Sequence, residues 1–317
     1  MRVLVTGAAG FVGSWLVRDL VGDGHSVHAA GQPGHAFPAD RGGAEWVEMD
    51  VTSADSVAEA VERAAPDAVF HLAGQASVGD SFHDPLGTWD VNATGTLRIA
   101  QALPKGARLL LVASAEAYGA VPEAEQPIGE DRPLRPCNPY AASKAAAEMA
   151  ALQAGESGGI EVVIARSFNH TGPGQDVRFA LASFARQLAL IRAGGAEPVL
   201  HVGNLSARRD LLDVRDVVRA YVRLMESGAP GRVYNVCSGV ARSMQEAVDE
   251  LVEISGTRAR LEVDPERVRP VDVPLLLGDN ARLRGLGWAP AIPFRQTLSD
   301  LLEWQAGRLD TRAQAAA

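Results

Sequence analysis

The stretch Val3-Leu4-Val5-Thr6-Gly7-Ala8-Ala9-Gly10-Phe11-Val12-Gly13 limits the folds open to this chain more than any other. A short β-branched run leads straight into three glycines, Gly7, Gly10 and Gly13, which open a helix. Glycine lets the chain turn sharply after a strand and lets a bound phosphate approach the backbone. The helix start then offers unpaired N–H donors and the positive end of its dipole. The spacing G-x-x-G-x-x-G differs from the G-x-G-x-x-G of the simplest dinucleotide turns. Two readings therefore stay open on this stretch alone: a cradle for a dinucleotide pyrophosphate, or a turn that only packs strand on helix.

A chain of 317 residues has room for one large α/β body or two domains. Its 47% hydrophobic and 22% charged residues are ordinary for a globular protein, and no apolar run is long enough to cross a bilayer. A net charge of −9 argues against sequence-independent nucleic-acid binding, which needs a cationic face. Cys137 and Cys237 form neither a disulfide framework nor a metal-ligand spacing. A first strand starting at Arg2 leaves no room for a secretory leader, so the expectation is a cytoplasmic protein with neither a membrane nor a nucleic-acid partner.

Taken in order, a helix from about Phe11 to Val21 ends at Gly22 and Gly24, and Val27 to Ala30 form a second strand. An acidic residue after that strand would select NAD and a basic one NADP; Ala29-Ala30-Gly31-Gln32 has neither, although Arg41 follows in the next connector. Trp46 to Met49 read as a third strand ending at Asp50, and Thr52 or Ser53 caps a helix to about Ala64. Asp50 stands where an adenine amino group could be held, or where an acid complements a helix start. Asp67 to Leu72 give a fourth strand running into Ala73-Gly74-Gln75, small enough for a nicotinamide to pass close to the backbone. His71 in that strand reads as structural. Asn92, inside a helix starting near Pro85, is a poor helix former that would bond backbone across to a neighbouring strand.

Arg108 to Val112 form a fifth strand that delivers Ser114 and Glu116 at its carboxyl end, the edge where parallel sheets bind ligands. The proline-rich Ala120–Pro139 loop reads as substrate-facing. Asn138-Pro139-Tyr140-Ala141-Ala142-Ser143-Lys144 then opens an alanine-rich helix to about Gln153, which puts Tyr140 and Lys144 on one face. A tyrosine titrating near ~10 is a poor acid–base catalyst at neutral pH, and a nearby cation would lower that value.

A glycine-rich first turn, a serine at the end of the fifth strand and Tyr-x-x-x-Lys at the next helix start together resemble the extended short-chain dehydrogenases/reductases. The resemblance covers nearly the whole chain. Arg166-Ser167-Phe168-Asn169-His170-Thr171-Gly172-Pro173-Gly174-Gln175, with Val202-Gly203-Asn204-Leu205 and Arg209-Asp210, is similar to the branch acting on GDP-mannose derivatives. Within it, the stretch Arg209–Val218 looks more like the GDP-4-keto-6-deoxy-mannose reductases than the GDP-mannose 4,6-dehydratases.

The resemblance implies a doubly wound parallel α/β sheet, the Rossmann fold, to about residue 165. A smaller α/β substrate domain, 166–317, would send some segments back to the first. It implies Ser114, Tyr140 and Lys144 as catalytic residues, with Glu116 at the position of the dehydratases' base. NAD or NADP would lie on Gly7, Gly10, Phe11, Val12, Gly13, Asp50, Val51, Leu72, Ala73, Gly74, Tyr140 and Lys144. Asn169, Arg209 and Arg269 would hold the diphosphate of a GDP-linked sugar, and guanidinium groups suit phosphate oxygens on physical grounds as well. The implied activity is reduction of a GDP-linked 4-keto-6-deoxy sugar, with dehydration or 4-epimerisation as alternatives. A homodimer through the helices near Pro85–Ala102 and Pro139–Gln153 is expected, and the tail from Gly307 is expected to fray.

Overall fold

A computed structural model describes residues 1–34, 42–267 and 273–315 of the chain. The first six strands are β1 (Arg2–Thr6), β2 (Ser26–Gly31), β3 (Glu45–Glu48), β4 (Ala68–His71), β5 (Arg108–Ser114) and β6 (Glu161–Ser167), with helices after β1, β3, β4 and β5. Beyond them run β7 (Asn169–Thr171), β8 (Val199–Val202), β9 (Arg208–Asp213), β10 (Val233–Val236), β11 (Ala241–Ser243), β12 (Arg260–Val263) and β13 (Leu275–Leu276). β1 to β6 and β10 make one seven-stranded sheet in the order β10-β6-β5-β4-β1-β2-β3, parallel throughout. Sequence order reverses around β1, whose neighbours are β2 and β4. Open parallel sheets bind ligands at such a switch point.

The sheet is apolar on both faces because both are covered, and side-chain alternation divides each strand between them. Val3, Val5, Phe70, Leu110 and Val163 pack with Leu16 and Leu20 of the Phe11–Gly22 helix and Tyr221 and Leu224 of the Val214–Ser227 helix. Leu4, Val69, Leu109, Leu111 and Ile164 face the other way, against Val57, Val61, Ile99, Ala147 and Ala151. A separate core joins the helices Ala180–Arg192, Met244–Ser255 and Phe294–Ala315. Three short strands, β7, β11 and β13, pair with β9 in a second sheet, and β8 pairs with β12.

Several boundaries differ from the sequence reading. β5 runs on to Ser114, and β3 begins one residue earlier than expected. Ser53, not Thr52, caps the Ala54–Ala64 helix by accepting from Ser56 N. The alanine-rich helix reaches Gly158, closed by Gly159 in a left-handed cap. Gly307 lies within the Phe294–Ala315 helix, so helical backbone continues past the residue from which the tail is expected to fray. The Ala120–Pro139 loop is fastened rather than open: Ile128 is fully buried, and its N–H donates to Leu277 O at 2.8 Å. Arg41 and Arg269 lie outside the described residues. Among the described residues, no helix is long and apolar enough to cross a membrane.

Candidate active site

The glycine turn is wound too tightly for a side chain at Gly7 or Gly13. Gly7 has φ +67°, and a Cβ there would stand 2.8 Å from Ala73 N; one on Gly13 would stand 2.3 Å from Gly7 O. Gly10, the N-cap, brings no side chain to the first-turn N–H groups of the Phe11–Gly22 helix, which includes Phe11, Val12 and Gly13. Those donors therefore remain for a ligand. Such a helix start beside a close-approach backbone is what a pyrophosphate requires, so the residues present fit a dinucleotide.

Across the switch point, Leu72-Ala73-Gly74 leaves β4 and is tied back to β1, with Ala73 N donating to Thr6 Oγ1 at 3.0 Å. A Cβ on Gly74 would lie 2.9 Å from Asn92 Oδ1 and 3.3 Å from Lys144 Nζ. Asp50 commits Oδ1 to Thr52 N and Thr52 Oγ1 at 2.8 and 2.7 Å, a local turn that holds its carboxyl below the usual range. Val51 is buried beside Gly95.

Ser114, Tyr140 and Lys144 are brought together. Ser114 sits at the carboxyl edge of β5 with its Oγ accepting from Glu116 N at 3.2 Å. Asn138 caps the Pro139–Gly158 helix by accepting from Ala141 N at 2.7 Å, with Pro139 at its first position. Its Nδ2 reaches Glu116 Oε2 at 3.4 Å, so one side chain both starts the helix and orients the acid. Tyr140, buried at the start of that helix, lies near enough to Ser114 for the hydroxyl to act on its phenol. One turn on, Lys144 donates to Val112 O at 3.0 Å, which leaves two of its protons without a partner among the described residues.

Electrostatics differ from the sequence expectation that Lys144 depresses the tyrosine. Burial pushes the Tyr140 phenol up to about 12; Ser114 opposes this and the nearby Glu116 charge adds to it. Burial also pulls Lys144 down to about 8, against the opposing pull of Glu148. Desolvation dominates both groups, and the ammonium is turned toward the β5 backbone.

A polar chain unseen in the sequence supports this arrangement. Asn92 accepts from Gln75 N at 2.9 Å and donates to Gln75 O and Ser143 Oγ at 3.1 and 3.0 Å. Ser143 in turn donates to Tyr140 O at 2.8 Å. The expected cross-link from Asn92 is therefore real, although it reaches the loop after β4 rather than a strand. Thr96 Oγ1 gives its proton to Asn92 O at 2.7 Å, so toward His71 Nε2, 3.1 Å away, it accepts. The imidazole proton is thus on Nε2, and Nδ1 accepts from Thr6 Oγ1 at 2.8 Å. Asn138-Pro139 could have been read as a cap. Thr6, Thr96 and Ser143 carry no local signal.

Burial, helped by Lys144, pulls His71 from an ordinary 6.5 to about 3, so it stays neutral in the folded protein. Below pH 6.5 the unfolded chain takes up this proton and the folded chain does not, so stability falls as the pH drops toward 3. Relative to a His71→Gln variant, the wild type should lose about 2 kcal/mol more between pH 7 and pH 5 in urea unfolding. Equal pH slopes would show instead that folded His71 takes up the proton.

The sugar-side residues are less gathered. Asn169 is exposed at the start of β7. Arg209 on β9 is buried, with Nη1 donating to Arg208 O and Val273 O at 2.9 and 2.6 Å. Among the described residues there is no group of three or more His, Cys, Asp or Glu that could hold a metal.

With this geometry in place, comparison with known proteins is decisive. The family model described as GDP-mannose 4,6-dehydratase matches residues 4–301. The chain belongs to the GDP-mannose 4,6-dehydratase family. This family is a branch of the extended short-chain dehydrogenases/reductases, as the turn and the Ser114–Tyr140–Lys144 set imply. A relative within reach is the GDP-6-deoxy-D-mannose reductase of Pseudomonas aeruginosa, 39% identical over 96% of this chain and 97% of its own. The UDP-glucose 4-epimerase of Mycolicibacterium smegmatis is 33% identical over 96% and 98%. Among solved structures, RMD from Pseudomonas aeruginosa complexed with NADPH superposes with a TM-score of 0.84 at 38% identity, covering 97% of this chain and 99% of that one.

Proposed function

We propose that the protein reduces the keto group of a GDP-linked 4-keto-6-deoxy sugar, most simply GDP-4-keto-6-deoxy-mannose, with NADPH or NADH. The observation that carries this reading is the gathering of buried Ser114, Tyr140 and Lys144 at the carboxyl edge of β5, with Lys144 Nζ close to Gly74 across the switch point. The closeness to a GDP-6-deoxy-D-mannose reductase supports it. When bound, the dihydronicotinamide supplies the hydride for C4. Tyr140, protonated at neutral pH, gives its proton to the oxygen on which charge develops. Ser114 donates a hydrogen bond to that oxygen, and Lys144 holds a ribose with its remaining donors. Asn169, Arg209 and Arg269 hold the nucleotide diphosphate in this proposal.

Through Gly34 no carboxylate follows β2, so a 2′-phosphate meets no opposing charge there. The test is anaerobic incubation of the purified protein with GDP-4-keto-6-deoxy-mannose and NADPH, following absorbance loss. A GDP-6-deoxyhexose should form with one NADPH oxidised per product, at a rate at least equal to that with NADH.

A second reading has its own observation. Glu116 lies two residues after Ser114, is oriented by Asn138, and its charge acts on Tyr140, as a base for sugar dehydration would require. GDP-mannose without added NADPH separates the two: a 4-keto-6-deoxy product would replace the reductase reading with the dehydratase one.

Assembly as a homodimer is part of the same proposal. Phe82, Leu86, Trp89 and Met149 are 49%, 83%, 46% and 55% exposed on adjoining helices, an apolar patch suited to a second copy. Light scattering should give twice the 33.4 kDa chain mass, and Leu86→Glu should reduce it to one chain. A monomeric wild type would end this part of the reading.

A further inference from the structure

Phe11 opens the helix that starts at the glycine turn, and its ring stacks on the His170 imidazole with centroids 6.0 Å apart and planes 15° from parallel. His170 is itself fixed, with Nδ1 donating to Phe168 O at 3.0 Å. One helical turn beyond Phe11, Trp15 Nε1 donates to Pro173 O at 2.9 Å. Gly174 lies close against both aromatic rings: a Cβ there would stand 3.4 Å from Phe11 Cδ2 and 3.7 Å from Trp15 Nε1, and its φ of +100° suits glycine alone.

The segment after β6 is thus a bracket closed on itself. Gln175 Nε2 donates to His170 O at 2.9 Å, and Thr171 Oγ1 donates to Gln175 Oε1 at 2.6 Å. Its other edge is β7, which pairs in parallel with β9, so that Asn169 stands opposite Leu211, two residues after Arg209. A continuous path of packed and hydrogen-bonded groups therefore runs from the dinucleotide turn through His170 to Asn169 and the Arg209 strand.

We propose that this bracket couples the two nucleotide sites, with His170 as the positioning residue that carries the coupling; the inference rests on the nucleotide-sugar reading above. Phe11 belongs to the turn that the dinucleotide must find in place, and Asn169 to the strand that the sugar nucleotide must find in place. One stacked contact orders both. Because the bracket is one packed body, the nucleotide that seats first at one end holds the other end in the arrangement its partner needs, and the second binds to a surface already set. Linkage then requires each nucleotide to tighten the other by the same factor.

The test uses the full chain, with NADPH titrated by its fluorescence in the absence and presence of saturating GDP, and GDP titrated by calorimetry in the absence and presence of NADPH. In the wild type each should tighten the other by about fivefold or more, and equally in both directions. His170→Ala should bring the factor to about one while each nucleotide alone still binds, and His170→Phe, which keeps a ring on Phe11, should retain it. A uniform loss of affinity cancels in this ratio, so a merely structural role for His170 would leave the factor unchanged. A factor of one in the wild type, or an unaltered factor in His170→Ala, overturns the proposal. If circular dichroism shows His170→Ala unfolded, Trp15→Phe, which removes the N–H donor to Pro173, serves instead: a reduced factor supports the coupling and an unchanged one overturns it. Failure of GDP to bind wild-type protein that still binds NADPH would overturn the nucleotide-sugar reading, and the coupling with it.

Discussion

Replacing Tyr140 with Phe should lower kcat for sugar-nucleotide reduction by about 10² to 10⁴ while leaving KM nearly unchanged. In the proposed reaction the phenol is the group that gives its proton to the sugar oxygen. Burial holds it near 12, so at neutral pH it is fully protonated, which suits donation to a developing alkoxide. The substitution removes a single oxygen from a buried ring and leaves Ser114 Oγ with its N–H donor from Glu116, so the fold and the glycine turn stay intact. Steady-state kinetics with NADPH, together with NADPH binding by fluorescence, separate a chemical defect from a binding one. Turnover within about tenfold of wild type would remove Tyr140 from the chemistry.

The sheet was legible because its strands are short apolar runs delivered to small or polar residues at their carboxyl ends. Leu109-Leu110-Leu111 and Val3-Leu4-Val5 have no polar alternation, which already implies covering on both faces. The Ser114, Tyr140 and Lys144 set was legible by order along the chain and by helical spacing. Its electrostatics were not, since spacing says that a lysine is near a tyrosine but not how far both are buried. The helix end was missed because Gly155 and Gly158 look like a stop. In the folded protein a Cβ at Gly155 would be 3.0 Å from Val162 Cγ2, so that glycine allows the helix to continue close against β6.

The support behind the site was illegible for a different reason. Thr6 and His71 are 65 residues apart, and Asn92 and Ser143 are 51 apart, so each contact exists only once the parallel register is set. The same register explains how an acidic chain can offer an anion site. Net charge is a property of the whole surface, whereas the pyrophosphate donors are backbone N–H groups at one helix start. Glu116 shows the limit of motif reading: its place two after Ser114 fits a dehydratase base, yet its contact with Asn138 equally serves the helix cap beside Tyr140.

The helix bearing Tyr140 and Lys144 is held from behind by a buried ion pair, and breaking it should have the largest effect on stability. Arg166 on β6 donates from Nε to both Glu148 carboxylate oxygens at 2.9 and 3.1 Å, and from Nη2 to one of them at 2.7 Å. Its Nη1 donates to Tyr118 Oη and Glu130 O, each at 3.0 Å, and Tyr118 donates onward to Asn235 Oδ1 at 2.7 Å. This cluster fastens the helix, the Ala120–Pro139 loop and the β6–β10 edge together. Glu148 is fully buried, and burial pushes its carboxyl up while Arg166 pulls it back. Arg166→Met therefore takes from a buried acid the guanidinium that hydrogen-bonds it and should cost about 3–5 kcal/mol in urea unfolding at neutral pH. Adding Glu148→Leu removes the stranded acid, so the double variant should recover most of that loss, because two matched apolar side chains carry no desolvation cost. Lys144 gives an independent readout: Glu148 opposes the burial that lowers its pKa, so in the double variant the ammonium should titrate below about 8. A single-variant loss under about 1 kcal/mol would place the pair among contacts worth no more than surface salt bridges, and the helix would then have to be held by its apolar face alone.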